Sequence, residues 1–185
     1  FRLATNALYQ MENASIALTV CAVLKDSGVK LDDRLTKEAV SKTHWAGRME
    51  LVKDNLYVDG AHNPQGIRSF VDSVDSLYES EKLSDATLLF SVVSDKNYDQ
   101  MIKILCECKH FKCVYLTMTG GVRRLSSEII KQAFEAHLPG ISIEIFDSVD
   151  GAVHEWDNGL MFATGSLYLV GDVVRALERK ENNHD

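Results

Sequence analysis

Two kinds of apolar pattern alternate along most of the chain. A continuous apolar run, typical of a buried parallel strand, occupies residues 87–93, and further strands are expected at 114–117, at 141–146, where apolar and polar residues partly alternate, and at 159–164. Between them, apolar side chains recur three and four positions apart, as on the buried face of a helix. Such helices are expected at residues 64–78, from a cap at 94 or 95 to 108, and at 126–137, 148–156 and 166–177. The alternation predicts an α/β fold, a Rossmann-like and mostly parallel sheet with helices on both faces.

The part before this alternation differs from it. Residues 49–52 and 56–58 are short apolar runs around Lys53-Asp54-Asn55, which predicts an antiparallel edge hairpin and about six strands in all. Residues 13–24 predict an amphipathic helix that stops near Gly28, and residues 35–40 predict a second, short helix. We therefore expect residues 1–44 to be the end of a preceding domain plus a linker, and 45–185 to be a C-terminal domain. The chain opens on Phe1 without an initiator Met, so we expect it to be a fragment.

One stretch joins a strand end to a helix start. Residues 56–58 end a strand, residues 59–62 form a polar turn, and Asn63-Pro64 suits a helix cap followed by the first helical position. In α/β folds, ligands bind at the carboxyl ends of strands, where helix N-termini offer free N–H groups to anions. This turn is therefore the first candidate site.

The same turn carries a family resemblance. Residues 59–66 read Asp-Gly-Ala-His-Asn-Pro-Gln-Gly, which resembles the signature of folylpolyglutamate and dihydrofolate synthases, members of the Mur ligase superfamily. Residues 45–50, Trp-Ala-Gly-Arg-Met-Glu, are similar to the family's Trp-Pro-Gly-Arg-x-Glu, and residues 165–168 to its Gly-Ser-Leu-Tyr. The resemblance implies the C-terminal ligase domain, with the end of the central ATPase domain in residues 1–44. A phosphate-binding G-x-x-x-x-G-K-[ST] loop is absent from the sequence, so we expect this piece alone to be inactive.

Three residues are expected to bind the nucleotide on the strength of this resemblance. Asn13 lies in a segment similar to the family's His-Gln-x-x-Asn-Ala, where the asparagine meets adenine; here Tyr9 replaces the histidine, and we leave it out of the site. Arg48 matches an arginine that contacts nucleotide phosphate, and Asp59 an aspartate at the nucleotide. The residue types alone allow plainer roles, namely a helix N-cap for Asn13, a surface ion pair for Arg48 and an Asx-turn for Asp59.

Three further residues are expected at the substrate glutamate. The resemblance places His62 near the glutamate and the reacting phosphate, which makes it the candidate catalytic residue. Ser166 matches a serine that contacts glutamate in this family, and it follows a predicted strand. Lys96 also follows a predicted strand; it lies in a segment that resembles the family's Asp-Lys-Asp turn, with Asn97 in place of the last acid, and is expected to hold a substrate carboxylate. The plainer alternatives are helix caps and solvated side chains. Arg123 is a weaker match to a family arginine.

The implied reaction is ATP-dependent formation of an amide bond. A folate or dihydropteroate carboxylate takes the γ-phosphate of ATP, and the amine of L-glutamate then displaces phosphate from the acyl phosphate. Mg²⁺ is the implied cofactor, with its ligands mostly outside this chain, and no metal-binding residue is assigned here. Two alternatives stay open: the equivalent domain of a peptidoglycan Mur ligase, and a non-catalytic nucleotide- or amino-acid-binding module.

Composition narrows the setting in which this activity is expected. A net charge of −7 disfavours a general nucleic-acid-binding protein, which needs basic surface. The sequence shows neither a signal peptide nor an apolar run that would span a bilayer, so we expect a cytoplasmic monomer without a membrane partner. Zinc binding by Cys106, Cys108, His110 and Cys113 is the less favoured interpretation, because all four fall within eight positions; free thiols fit a reducing cytosol.

Overall fold

The computed structural model describes residues 3–119 and 125–182, and Arg123 lies outside them. A six-stranded sheet has the order β1-β2-β6-β3-β4-β5; only β1 and β2 pair antiparallel, and the other neighbours are parallel. This confirms the predicted α/β fold with its edge hairpin. The strands are β1 (Glu50–Lys53), β2 (Leu56–Val58), β3 (Ala86–Phe90), β4 (Phe111–Thr117), β5 (Ser142–Phe146) and β6 (Met161–Thr164).

Helices cover both faces of the sheet. Because successive strand residues point to opposite faces, Leu88 and Phe162 face α3, α4 and α5, whereas Leu89 and Ala163 face α6 and α7. Each face therefore has its own apolar core. The helices are α1 (Tyr9–Asp26), α2 (Asp33–Lys42), α3 (Pro64–Ser80), α4 (Tyr98–Glu107), α5 (Ser127–His137), α6 (Val149–Glu155) and α7 (Leu167–Asn182).

Several element ends differ from the sequence prediction. The cap of α4 is Asn97, whose side chain accepts from the Gln100 N–H, and not Ser94 or Asp95. Helix α1 starts four residues earlier than expected, so Asn13 lies inside it and is not its N-cap. Periodicity marks the buried face of an element and is silent about polar end turns, which is why these ends were misplaced.

The first two helices contact the sheet domain sparingly. None of the residues of α1 or α2 is buried. Large apolar side chains of α1 stay more than half exposed, among them Met11, Ile16 and Val23. The division at residues 44/45 remains a prediction that this exposure favours. None of the helices in the described ranges combines the length and apolar character needed to cross a membrane.

Gly165 follows β6 and lies against the turns that follow β2 and β3, at one rim of the sheet. Its φ is +112°, its N–H donates to the Ala61 carbonyl at 3.0 Å, and a Cβ here would lie 2.5 Å from the Ser91 carbonyl oxygen. Because both the backbone angle and the lack of space exclude a side chain, glycine is required where the turns after β2, β3 and β6 meet.

We expect Gly165→Ala to lower the free energy of unfolding by about 2–4 kcal/mol, since strain at positive φ adds to a clash with backbone. Gly140→Ala is the matched control. Gly140 has φ +89° but nothing within 4 Å of its would-be Cβ, so only the strain of about 1–2 kcal/mol remains. Urea denaturation of the 1–185 chain measures the free energy of unfolding of both variants. Equal decreases would contradict the claim that the close backbone approach at Gly165 requires glycine.

Candidate functional site

The carboxylate of Asp59 is the buried centre of the candidate site. Asp59 follows β2 and is 1% exposed. Its Oδ2 accepts from the Tyr9 hydroxyl at 2.7 Å and the Met49 N–H at 2.9 Å, and its Oδ1 accepts from the Ala61 N–H at 2.8 Å. The last bond is the Asx-turn allowed by the sequence. Three separate segments therefore meet at one side chain.

The turn before β1 is locked to the turn after β2. The Gly60 N–H donates to the Gly47 carbonyl at 2.8 Å, and the Gly47 N–H donates to Glu50 Oε2 at 2.6 Å. Met49 has φ +47° although it is not glycine and is 1% exposed, a conformation that the surrounding bonds must hold. Arg48 therefore sits in a rigid turn beside Asp59.

Burial and charge act against each other at this centre. Burial raises the pKa of Asp59 above its ordinary value, and the bonds from Tyr9, Ala61 and Met49 and the charge of Arg48 oppose that rise. The pKa of Tyr9 is also raised, first by burial and then by the Asp59 carboxylate, while the Arg48 guanidinium opposes it. Arg48 thus stabilises negative charge at both neighbours.

All three residues predicted for the nucleotide line one cavity of about 380 Å³. Asn13, Arg48 and Asp59 share it with Tyr9 and Trp45. Asn13 is exposed on the second turn of α1, where its amide donates to Gln10 Oε1 at 2.7 Å. A guanidinium suits a phosphate, and an amide can read a purine edge, so this lining fits a nucleotide.

A second cavity adjoins the first. It measures about 610 Å³ and also includes Asn13, Trp45 and Arg48 in its lining. Trp45 is 64% exposed, an unusual position for an indole unless it meets a ligand or another surface. The two cavities share Asn13, Trp45 and Arg48 in their linings, and together they are the candidate groove.

The loops that carry the three predicted glutamate residues meet at one rim of the sheet. Strands β2, β6 and β3 are neighbours, and all end at this rim. The Gly165 N–H bonds to Ala61, and the Ser91 N–H donates to the Thr164 carbonyl at 3.4 Å. The structure brings the three loops together, while the linings of the two cavities described above do not include His62, Lys96 or Ser166.

Each of these three side chains has a defined local setting. His62 is half-buried, and its Nδ1 lies 2.8 Å from the Gly60 carbonyl oxygen. Because a carbonyl oxygen only accepts, Nδ1 carries the hydrogen of this bond. Ser166 is buried, and its Oγ accepts from the Tyr168 N–H at 3.0 Å. Lys96 is half-buried before α4, and within the described ranges its ammonium group forms no ion pair.

The helices that follow these three residues lie on different faces of the sheet. His62 and Lys96 precede α3 and α4, which cover one face of the sheet, and Ser166 precedes α7 on the other. They can share a ligand only across the rim between the faces. The joint role of the three therefore remains a proposal.

Tyr9 belongs to the site that the sequence argument left without it. Tyr9 was expected to lie outside the site because it replaces the family's histidine. A phenol and an imidazole N–H can both donate to a carboxylate, so the position itself was the available signal. Trp45 also lines both cavities, although the resemblance of residues 45–50 implied no site role for it.

The cysteine cluster is packed rather than arranged around an ion. Burial raises the pKa of Cys106 and of Cys108 to about 11, which keeps both thiols protonated at neutral pH. His110 stacks on Tyr78, with ring centroids 3.6 Å apart, and pairs with Asp75. Among the described residues, no group of three or more His, Cys, Asp or Glu side chains is placed to hold a metal.

A mostly parallel sheet with helices on both faces, whose candidate ligand-binding loops follow the carboxyl ends of adjacent strands, defines a doubly wound α/β domain. The chain belongs to the Mur ligase, glutamate ligase domain family, whose sequence profile matches residues 47–170. This confirms the resemblance read from the three segments.

The individual proteins to which the chain is similar include folylpolyglutamate and dihydrofolate synthases. The chain is 27% identical over 178 residues to the dihydrofolate synthase/folylpolyglutamate synthase of Bacillus subtilis, covering 92% of this chain and 39% of that protein. The crystal structure of folylpolyglutamate synthase from Thermotoga maritima matches with a TM-score of 0.76 and 25% identity, over 96% of this chain and 40% of that one. The Yersinia pestis bifunctional enzyme has the same fold, with a TM-score of 0.68 at 24% identity, over 86% and 38%. The chain thus spans about two-fifths of these proteins.

The raised pKa of Asp59 predicts a pH dependence of stability. Because the native state binds this proton more tightly than the unfolded chain does, the contribution is complete below the unfolded pKa and is lost as pH rises through the folded one. Asp59→Asn cannot titrate. The free energy of unfolding of Asp59→Asn minus that of the unmodified chain should therefore increase as pH rises from the ordinary value of 3.8.

Urea denaturation at a series of acidic pH values measures this difference. Asp54→Asn, in the exposed turn of the β1–β2 hairpin, is the control for removing a carboxylate without removing a buried one. A difference for Asp59→Asn that stays flat with pH, or falls, would contradict the assignment.

Proposed function

We propose that the chain is the C-terminal domain of an ATP-dependent ligase that adds L-glutamate to folate or dihydropteroate. The observation that carries this proposal is the cavity that gathers Asn13, Arg48 and Asp59. Family membership and the named relatives support it. The Asp-Gly-Ala-His-Asn-Pro wording of residues 59–64 favours the folate branch over a peptidoglycan Mur ligase.

The nucleotide is proposed to lie in the groove between α1 and the turn before β1. Arg48 would contact a phosphate, Asn13 the purine, and Asp59 would hold the turn and contact the nucleotide. The similar Yersinia pestis enzyme is complexed with AMPPNP and a manganese ion. We propose ATP with Mg²⁺ for the present protein.

The described residues do not by themselves fit a divalent cation. They offer no cluster of three or more His, Cys, Asp or Glu side chains. We therefore propose that the ligands of the metal come from the nucleotide and from parts of the protein beyond this chain.

The amino-acid substrate is proposed to bind at the rim formed by the ends of β2, β6 and β3. In the proposed reaction a carboxylate oxygen of the pteroate substrate bonds to the γ-phosphorus, and ADP leaves. The glutamate nitrogen then bonds to the acyl carbon, loses a proton, and phosphate leaves. Lys96 and the Ser166 hydroxyl would hold glutamate carboxylates, and His62 would lie near the amine and the acyl phosphate.

The setting of the enzyme is proposed on the same basis. We propose a cytoplasmic monomer that binds small molecules and neither nucleic acid nor membrane. The acidic net charge of −7 supports the part that concerns nucleic acid.

In the full-length protein, Arg48→Ala and Asp59→Ala should mainly impair use of ATP. Each removes a charged group from the cavity, a loss worth roughly 1.5–3 kcal/mol, seen as a higher KM for ATP or a lower kcat/KM. Arg34→Ala, in an exposed ion pair with Glu38 on α2, is the control. Steady-state kinetics that are unchanged in ATP for both variants would refute the nucleotide site.

His62→Ala and Ser166→Ala should raise the KM for glutamate or lower kcat, while ATP binding to the free enzyme stays near normal. Matched controls are His154→Ala, an exposed histidine on α6, and Ser148→Ala, which removes the cap of that helix. The Ser148 control separates loss of a cap from loss of a substrate contact. If Ser148→Ala and Ser166→Ala affect glutamate use alike, Ser166 is a cap alone.

A further inference from the structure

The first turn of α1 is held by contacts with the sheet domain and not by a cap of its own. The residue before the helix, Leu8, has helical backbone angles, and its side chain makes no capping hydrogen bond. Instead, its N–H donates to Ser73 Oγ of α3 at 3.1 Å, and Ala7 is buried in the core on that face. The Tyr9 hydroxyl then reaches Asp59. The orientation of α1 over the site thus depends on these few contacts.

Tyr9 and Asn13 are four positions apart on α1. Residues at this spacing lie on the same face of a helix, one turn apart, and both side chains line the cavity beside Arg48. A contact that fixes Tyr9 therefore also fixes where the Asn13 amide stands relative to Asp59.

Among the described residues, Asp59 Oδ2 accepts two hydrogen bonds, one from the Met49 N–H and one from the Tyr9 hydroxyl. The phenol of Tyr9 is the partner that comes from a helix and not from a turn. The groups that face this carboxylate are the Tyr9 phenol from α1, the Arg48 guanidinium from the turn before β1, and the N–H groups of Met49 and Ala61. Removing the phenol would leave a buried carboxylate with backbone donors and a single cation.

We propose that Tyr9 is a positioning residue of the nucleotide site, whose hydroxyl holds the Asp59 carboxylate and thereby sets α1, with Asn13, against Arg48. The proposal rests on the proposed function for its kinetic consequence. It assigns a role to a residue that departs from the family's histidine. It also explains how a helix without a buried residue keeps a fixed place beside the site.

The kinetic test uses Tyr9→Phe and Tyr9→His in the full-length protein. Tyr9→Phe should raise the KM for ATP roughly ten- to a hundredfold, the effect of one lost bond to a charged group, with the KM for glutamate unchanged. The acidic limb of the profile of kcat/KM for ATP should move to higher pH, because Asp59 loses a donor to its ionised form. Tyr9→His, which restores a donor, should recover most of the loss.

Tyr78→Phe is the matched control. It also removes a half-buried phenol, whose hydroxyl donates to the Ser84 carbonyl at 2.5 Å, away from the cavity. We expect it to leave the KM for ATP and the pH profile unchanged. If Tyr9→Phe lowers only the midpoint of thermal unfolding, as a purely structural residue would, the proposal is overturned.

An infrared titration separates this proposal from the proposed function. The carbonyl stretch of protonated Asp59, assigned by its loss in Asp59→Asn, should appear at higher pH in Tyr9→Phe than in the unmodified protein. If this shift occurs in a protein that does not bind ATP, the contact stands and the proposed function fails. If the protein uses ATP but neither the stretch nor the KM responds to Tyr9→Phe, the positioning role is wrong.

Discussion

A buried carboxylate must be supplied with hydrogen-bond donors, and that requirement at Asp59 organises the surrounding structure. A carboxylate with 1% exposure would be strongly destabilising if left without partners. Its donors come from the start of α1, from the turn before β1 and from its own turn. Satisfying one side chain therefore brings together segments that are far apart in sequence and sets the shape of the groove between them.

The order of the strands provides the second half of the site. Because β6, the last strand of the chain, inserts between β2 and β3, the turn after β6 lies between the turns that lead into α3 and α4. Gly165 allows the backbones to approach closely enough for hydrogen bonds between these turns. The proposed nucleotide groove and the proposed glutamate rim thus adjoin, because Asp59 lines the first and His62, three residues later, lies at the second.

The sequence predicted the parts of this arrangement that have a local signature. Buried strands such as β3 are continuous apolar runs, and the Asn63 cap with Pro64 behind it marked the start of α3 correctly, as the bond from the Gly66 N–H shows. The Asn97 cap was missed because Ser94, Asp95 and Asn97 are all capping residue types, and only tertiary packing selects among them.

The candidate site divides in the same way. Arg48 and Asp59 could be proposed from the sequence, since each lies in a short segment that resembles a family motif. The hydrogen bond between Tyr9 and Asp59 joins residues 50 positions apart. Because no short sequence pattern indicates such a contact, it could not be predicted from the sequence. The same is true of the left-handed backbone at Met49, because methionine gives no hint of such a conformation.

The left-handed backbone at Met49 couples the effects of substitutions at Arg48 and Asp59. The turn that presents Arg48 holds Met49 in a costly conformation, and the N–H of this residue is secured by Asp59 itself. A change at position 59 would loosen the backbone next to Arg48, so substitutions at the two positions would overlap in their effects and not add. Residues 48 and 59 therefore form one thermodynamic unit, and a homologue that alters one of them would have to re-form the turn to keep the other useful.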